Sequence, residues 1–264
     1  MSLGNKLAAD LPFLRRYARA LTGSQEAGDA LVRSLLETAV ADVQVRTSLE
    51  GGRVALYRAF NAIWTSAVAD RVKAADGAGF HEAAAQAQLG KITPLSRQAL
   101  LLTTLEDFSP AQAGEILGRS TGEVEELVRE AIAEIDRQTM ASVLIIEDEP
   151  LISMQLEELV RSLGHDITGT AATRTQAQSL AQQALPGLVL ADIQLADGSS
   201  GLDAVDDIKA LGDVPVIFIT AYPERLLTGC CQEPTYLITK PFTEASVRAA
   251  IGQALFFGSG RPVD

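Results

Sequence analysis

Apolar positions return with a helical period through the first half of the chain and then change rhythm. In LPFLRRYARALTG, ALVRSLLETAV and VALYRAFNAIWTSAVADRV, all between Leu7 and Val72, hydrophobic side chains fall at helical spacing while Pro and Gly stand mostly outside the runs. That pattern predicts amphipathic helices. The stretch AADGAGFHEAAAQAQLG, residues 74–90, is small and rich in Gly and Ala, and reads as a flexible linker able to turn helical on docking. Residues 92–138 then form a second helical part. Thr93 or Pro94 opens a helix through Leu105, and Ser109, Pro110 and Gln112 supply the N-cap, N1 proline and capping-box partner of the next. Gly118 ends that helix, and Ser120 with Glu123 opens another by a second capping box. The turn between them is only about three residues long, which is helix-turn-helix punctuation.

At Ser142 the period changes. VLIIE is a continuous apolar run, and further short runs follow at GLVLAD, VPVIFIT and TYLIT, with helical stretches such as EPLISMQLEELVRSLG and SGLDAVDDIKALG between them. Strands buried on both faces and alternating with helices predict a parallel α/β sheet. Five strands and five helices are expected, with DITG as a weak second strand. The resulting division is residues 1–73 helical, 74–91 linker, 92–139 helix-turn-helix and 140–264 doubly wound α/β.

Composition narrows what this organisation can do. A chain of 264 residues suffices for two or three domains. No apolar run reaches the roughly 18 residues a membrane helix needs, and MSLGNKLAAD has no basic flank before an apolar core, so a cytoplasmic location and no membrane are expected. The net charge of −12 opposes nonspecific binding to nucleic acid. Residues 1–140 carry 15 basic against 18 acidic side chains, and residues 141–264 carry 7 against 16. Cys230 and Cys231 are adjacent, with Cα atoms held about 3.8 Å apart, too close for ordinary disulfide geometry, and are expected reduced. His81 and His165 are expected to be structural or surface residues.

Functional groups of an open parallel sheet gather at the C-terminal ends of its strands, and here that edge is acidic. Glu147, Asp148 and Glu149 follow the first strand, Asp192 ends the third, Thr220 the fourth, and Lys240 with Pro241 the fifth. Carboxylates converging there repel one another unless a cation joins them, and hard oxygen ligands suit Mg²⁺. A carboxylate so held can attack phosphorus, with Lys240 pairing the acyl phosphate and the Thr220 hydroxyl bonding a phosphoryl oxygen.

The stretches VLIIEDEP, LADIQLADGSSGLD, VIFITAY and LITKPF, in this order and at strand ends, resemble the flavodoxin-like receiver domain of bacterial response regulators over residues 142–257. The resemblance implies Asp192 as phosphoacceptor, Glu147 and Asp148 as the Mg²⁺-binding pair, Gln194 as donor of a backbone carbonyl to the metal, and Thr220 and Lys240 as switch hydroxyl and phosphate-binding lysine. Receivers usually carry an aromatic three residues before the lysine. Here Leu237 stands there and Tyr236 lies one residue earlier, which leaves open which of them takes part in a switch.

LPFLRRYARALTGSQEAGDALVRSLLETA and GGRVALYRAFNAIW are similar to the second region of an extracytoplasmic-function sigma factor, and the helix-turn-helix to its fourth region. The helix that would enter a DNA groove, however, carries Glu123, Glu125, Glu126, Glu130 and Glu134. From Ser120 to Arg137 there are six acids against two arginines. DNA, with one negative charge per about 1.7 Å of axis, repels such a helix. A sigma shape that repels DNA retains a surface for a protein that binds sigma factors. A sigma-like half followed by a receiver resembles the PhyR family of general stress response regulators. That resemblance implies an anti-anti-sigma factor, phosphorylated by a sensor histidine kinase. On that reading its receiver is expected to pack on the sigma-like half at rest and, once phosphorylated, to let that half capture a NepR-type anti-sigma factor. No DNA partner and no catalysis beyond its own phosphorylation and dephosphorylation are expected. The alternatives are a phosphorylation-controlled transcription factor binding promoter DNA or RNA polymerase, and an enzyme acting on free phosphate esters.

Overall fold

The computed structural model describes residues 3–77, 94–135, 140–195, 197–223, 226–227 and 234–258. His81, Cys230, Cys231 and the expected linker from residue 78 onward lie outside the described residues. The chain divides into two compact units, the first built mainly from residues up to Ile132 and the second from Ala133 on.

In the first unit, helices α1 (Leu3–Thr22), α2 (Gln25–Ala41), α3 (Val43–Ser48) and α4 (Arg53–Gly77) precede α5 (Leu95–Thr104), α6 (Pro110–Leu117) and α7 (Thr121–Ile135). The Ser24 hydroxyl caps α2 and the Asp42 carboxylate caps α3, each accepting a backbone N–H of the first turn. Helix α4 runs to Gly77, past the expected boundary at residue 73, because Ala74 and Ala75 are strong helix formers and the first glycine comes only after them. Leu14, Tyr17, Leu21, Leu35, Leu56, Tyr57 and Phe60 are wholly buried where α1, α2 and α4 meet. Tyr17 stacks against Tyr57 and Phe60 at centroid distances of 5.4 and 6.0 Å. Trp64, the single tryptophan, is buried on the same helix. Helix α6 opens with the Ser109–Gln112 capping box and Pro110 and ends at Gly118 in the left-handed conformation, as its sequence predicts. The turn to α7 is tight, since a side chain at Gly114 would meet the Arg119 carbonyl at 2.6 Å.

The second unit is a five-stranded parallel sheet in the order β2-β1-β3-β4-β5. Its strands are β1 (Ser142–Ile146), β2 (Asp166–Ala171), β3 (Leu188–Ala191), β4 (Val216–Thr220) and β5 (Tyr236–Thr239). Helices α8 (Pro150–Ser162), α9 (Arg174–Gln183), α10 (Gly201–Lys209) and α11 (Glu244–Gly258) are the helices of this unit among the described residues. The fifth expected helix, between β4 and β5, falls mostly outside them. Every residue of β3 and β4 is buried, which explains their unbroken apolar runs. β2 is an edge strand, half exposed and with an irregular register against β1 between Val143 and Leu144, which explains its weak pattern.

Candidate functional site

The strand order reverses between β1 and β3, and in sheets of this order the crevice opens just beyond the carboxyl ends of those two strands. The backbone fixes each functional residue there. The Glu147 N–H donates to the Ala171 carbonyl (2.9 Å), the Asp192 N–H to Ile146 (2.8 Å) and the Lys240 N–H to Thr220 (2.8 Å). Lys240 precedes a cis proline, Pro241.

Lys240 joins the acids. Its ammonium Nζ lies 2.7 Å from Asp192 Oδ2, 2.8 Å from Glu147 Oε2 and 3.7 Å from Glu149 Oε1. Asp192 Oδ1 accepts the backbone N–H groups of Ile193 (2.5 Å) and Gln194 (3.4 Å), so both oxygens of that carboxylate are held. Burial pushes the Glu147 carboxyl above the usual range, and its contact with Lys240 offsets only part of that. Burial pulls the Lys240 ammonium down, but the hydrogen bonds and charges of Asp192 and Glu147 outweigh it and leave the pKa raised. Glu147, Asp148 and Asp192 each offer a carboxylate oxygen, all within 4.8 Å of one another. Such a set of hard oxygens fits a small divalent cation.

Thr220 is buried at the end of β4, and its Oγ1 accepts the Tyr222 N–H at 3.1 Å. Gln194, exposed, pairs with Ser200 across the loop that follows Asp192. The sheet therefore brings Glu147, Asp148, Asp192 and Lys240 together, with Thr220 joined to Lys240 through the backbone. Tyr236 and Leu237 are both buried, and the Tyr236 hydroxyl donates to the Gln253 carbonyl of α11 at 3.4 Å.

Sequence reasoning missed Gly201, the first residue of α10. A Cβ there would lie 1.7 Å from the Asp192 carbonyl, while its own N–H donates to Ile193 O at 2.9 Å. The only signal was a glycine opening a helix just after the acidic loop. His165 is buried with its Nδ1 accepting the Ala141 N–H at 3.3 Å, a structural role.

On α7, Val124 and Ala131 are buried, while Glu123, Glu125, Glu126 and Glu130 are exposed and Glu134 is half-buried. Glu123 is engaged by the N–H and hydroxyl of Ser120, and Arg129 is ion-paired with Glu126. The outward surface of the second helix of the helix-turn-helix is acidic.

Three family profiles match the chain. They are described as the sigma2 domain of PhyR (residues 7–61), the sigma-like domain of response regulator PhyR (89–138) and the response regulator receiver domain (143–252). The phyllosphere-induced regulator PhyR of Methylorubrum extorquens is 52% identical over 262 residues, covering 97% of this chain and 96% of that protein. The anti-anti-sigma factor PhyR from Bartonella quintana superposes with a TM-score of 0.84 at 44% identity, over 98% of this chain and 97% of that one. The response regulator PhyR from Brucella abortus does so with 0.81 at 45% identity, over 98% and 96%.

Proposed function

The chain belongs to the PhyR family of response regulators, and we propose on that premise that it is a phosphorylation-activated anti-anti-sigma factor. Phosphorylation at Asp192 releases the sigma-like half to sequester a NepR-type anti-sigma factor and so free a general stress sigma factor. The observation that carries this reading is the coexistence of a complete acidic site around Asp192 and Lys240 with a helix-turn-helix whose outward helix face is acidic. The first takes up a phosphoryl group; the second keeps a sigma shape while repelling DNA. The description of the Bartonella quintana relative as an anti-anti-sigma factor supports the same conclusion.

In the proposed reaction an Asp192 carboxylate oxygen forms a bond to phosphorus as the P–N bond of the kinase's phosphohistidine breaks, its electron pair going to the imidazole. The Ile193 and Gln194 N–H groups and Lys240 hold the carboxylate in place for attack, the positioning that makes such a transfer fast. Glu147, Asp148, Asp192 and the Gln194 backbone carbonyl are the residues that would hold Mg²⁺, which when bound neutralises the incoming phosphoryl charge. Lys240 pairs the phosphoryl oxygens. The Thr220 hydroxyl accepts from Tyr222 N–H, so its own proton remains to donate to a phosphoryl oxygen. The Tyr236 hydroxyl donates to the Gln253 carbonyl of α11, and Leu237, three residues before Lys240 where receivers usually carry an aromatic, is buried in the sheet.

The unphosphorylated receiver is proposed to pack on the sigma-like half and hide the partner surface. A phosphoryl group adds nearly two negative charges. Moving a two-state equilibrium from 1:99 to 99:1 takes about 5.5 kcal/mol, so phosphate and partner act together. The protein is proposed to work in the cytoplasm and to catalyse nothing beyond its own phosphorylation and dephosphorylation. The test is titration calorimetry of the full chain against a purified NepR-type anti-sigma protein, with Mg²⁺ and with or without acetyl phosphate, beside Asp192→Ala. Tight binding confined to phosphorylated wild type is expected. Equally tight binding by Asp192→Ala overturns the switch, and salt-sensitive binding of promoter DNA instead overturns the partner.

A further inference from the structure

The first unit contains a second charged cluster, far from Asp192 in sequence, which the phosphorylation site does not use. Glu106 follows α5 and is buried, with its side chain fully inaccessible. One oxygen, Oε1, accepts Arg16 Nε of α1 at 3.0 Å. The other, Oε2, accepts Arg53 Nη2 at 2.8 Å and the Tyr57 hydroxyl at 2.7 Å, both from α4. The same two arginines also grip the backbone, Arg16 Nη2 on Leu105 O at 2.7 Å and Arg53 Nη1 on Glu106 O at 2.8 Å. The Arg53 guanidinium lies 4.5 Å from the Phe108 ring centroid and 5.2 Å from that of Tyr57, and the two rings meet edge to face at 4.8 Å. Burial and then the Glu106 charge push the Tyr57 hydroxyl well above its ordinary range, which keeps its proton available to donate. Residues 105–108 thus form a plug from the helix-turn-helix part, seated in a cradle made by α1 and α4.

An arrangement of this kind is a poor source of net stability, because desolvating the charges cancels most of their attraction, but leaving one member unpaired is costly. Apolar contacts between helices tolerate sliding by fractions of a turn. A buried carboxylate with three side-chain donors does not, since any shift strands a charge. Two polar ties between α4 and α6 are weaker: Arg58 to Glu115 at 3.0 Å is exposed, and Asn61 Nδ2 to Ile116 O is 3.5 Å. Exposed pairs of that sort contribute little.

We infer that Glu106 is a polar lock that fixes the arrangement of the helix-turn-helix part on the α1–α4 part, so that the two sigma-like parts present one defined composite surface. The inference goes beyond the function proposed above and holds whatever partner that surface receives.

The test uses the full chain with Cys230→Ser and Cys231→Ser, spin-labelled in pairs at exposed positions and measured by double electron–electron resonance. Glu37→Cys on α2 with Glu125→Cys on α7 reports the distance between the parts, and Glu37→Cys with Ser66→Cys on α4 reports a distance within one part. Glu106→Gln, which keeps the shape and removes the charge, is compared with Glu106. The expected result is an inter-part distribution at least doubled in width by Glu106→Gln, with the within-part distribution unchanged. An unchanged inter-part distribution overturns the lock. Broadening of both distributions overturns it as well, because Glu106 would then be holding the helices themselves rather than their arrangement.

Discussion

Gly201 shows how a residue without a side chain governs the chemistry of another. Any Cβ at that position displaces the Asp192 carbonyl, and the Asp192 carboxylate hangs from the same backbone. Since a misplacement of about 1 Å costs on the order of a hundredfold in rate, Gly201→Ala should slow phosphoryl incorporation from acetyl phosphate by roughly that factor while leaving the circular dichroism spectrum of the fold intact. His165 makes a prediction of a different sort. Burial holds its folded pKa below the ordinary value, so the folded form refuses a proton that the unfolded chain accepts. Stability of the second unit is therefore complete above a pH of about 6.5 and falls as pH drops toward the depressed folded pKa. Urea unfolding followed at pH values of about 7.5 and 5.5 should show that loss, and His165→Gln should flatten it. A pH dependence left unchanged by His165→Gln would show that the buried imidazole does not carry it. The acids and the lysine that the sheet brings together were legible in the sequence because strand ends announce themselves: Glu147, Asp192 and Lys240 each follow an apolar run. The Glu106 lock was not. Arg16 and Glu106 are 90 residues apart, and nothing in a linear pattern pairs two charges over that distance.

At the level of elements, capping chemistry predicted α6 and α7 closely, because Ser109, Gln112, Gly118, Ser120 and Glu123 act within a few residues of themselves. Helix α3 went unread, although Asp42 caps it through the Gln44 N–H at 2.7 Å. At six residues it is too short to show a period, and the lone Asp was the sole signal. Helix α7 carries the functional distinction of the first unit, and its exposed acids can be reversed without disturbing the buried Val124 and Ala131. Glu125→Lys, Glu126→Lys and Glu130→Lys together should create salt-sensitive binding to duplex DNA where wild type shows none. The slope of log affinity against log salt should steepen by roughly 0.9 for each new phosphate contact. Fluorescence anisotropy of a labelled duplex reads both quantities. Appreciable binding by the wild-type protein would mean that the acidic face does not govern access to DNA.

For the molecule as a whole, the change of hydrophobic period at Ser142 announced the two classes of fold, all-helical and then α/β, and the helix of Arg53–Gly77 runs four residues into the stretch read as a linker able to turn helical. What the pattern could not show is that the two helical parts, separated by residues 78–93, share one compact unit. That fact rests on α4 packing against α6 and on the buried plug at residues 105–108. No helix among the described residues is long and apolar enough to cross a membrane.

Trp64 gives this division an optical consequence. It is the chain's single tryptophan, and it is buried on α4. Emission excited at the red edge of protein absorbance therefore originates in the first unit alone and leaves the second dark, so that the unlabelled protein carries its own reporter. An event at the acidic site that reaches α4 must register as a change in that emission, and one confined to the sheet will pass unseen.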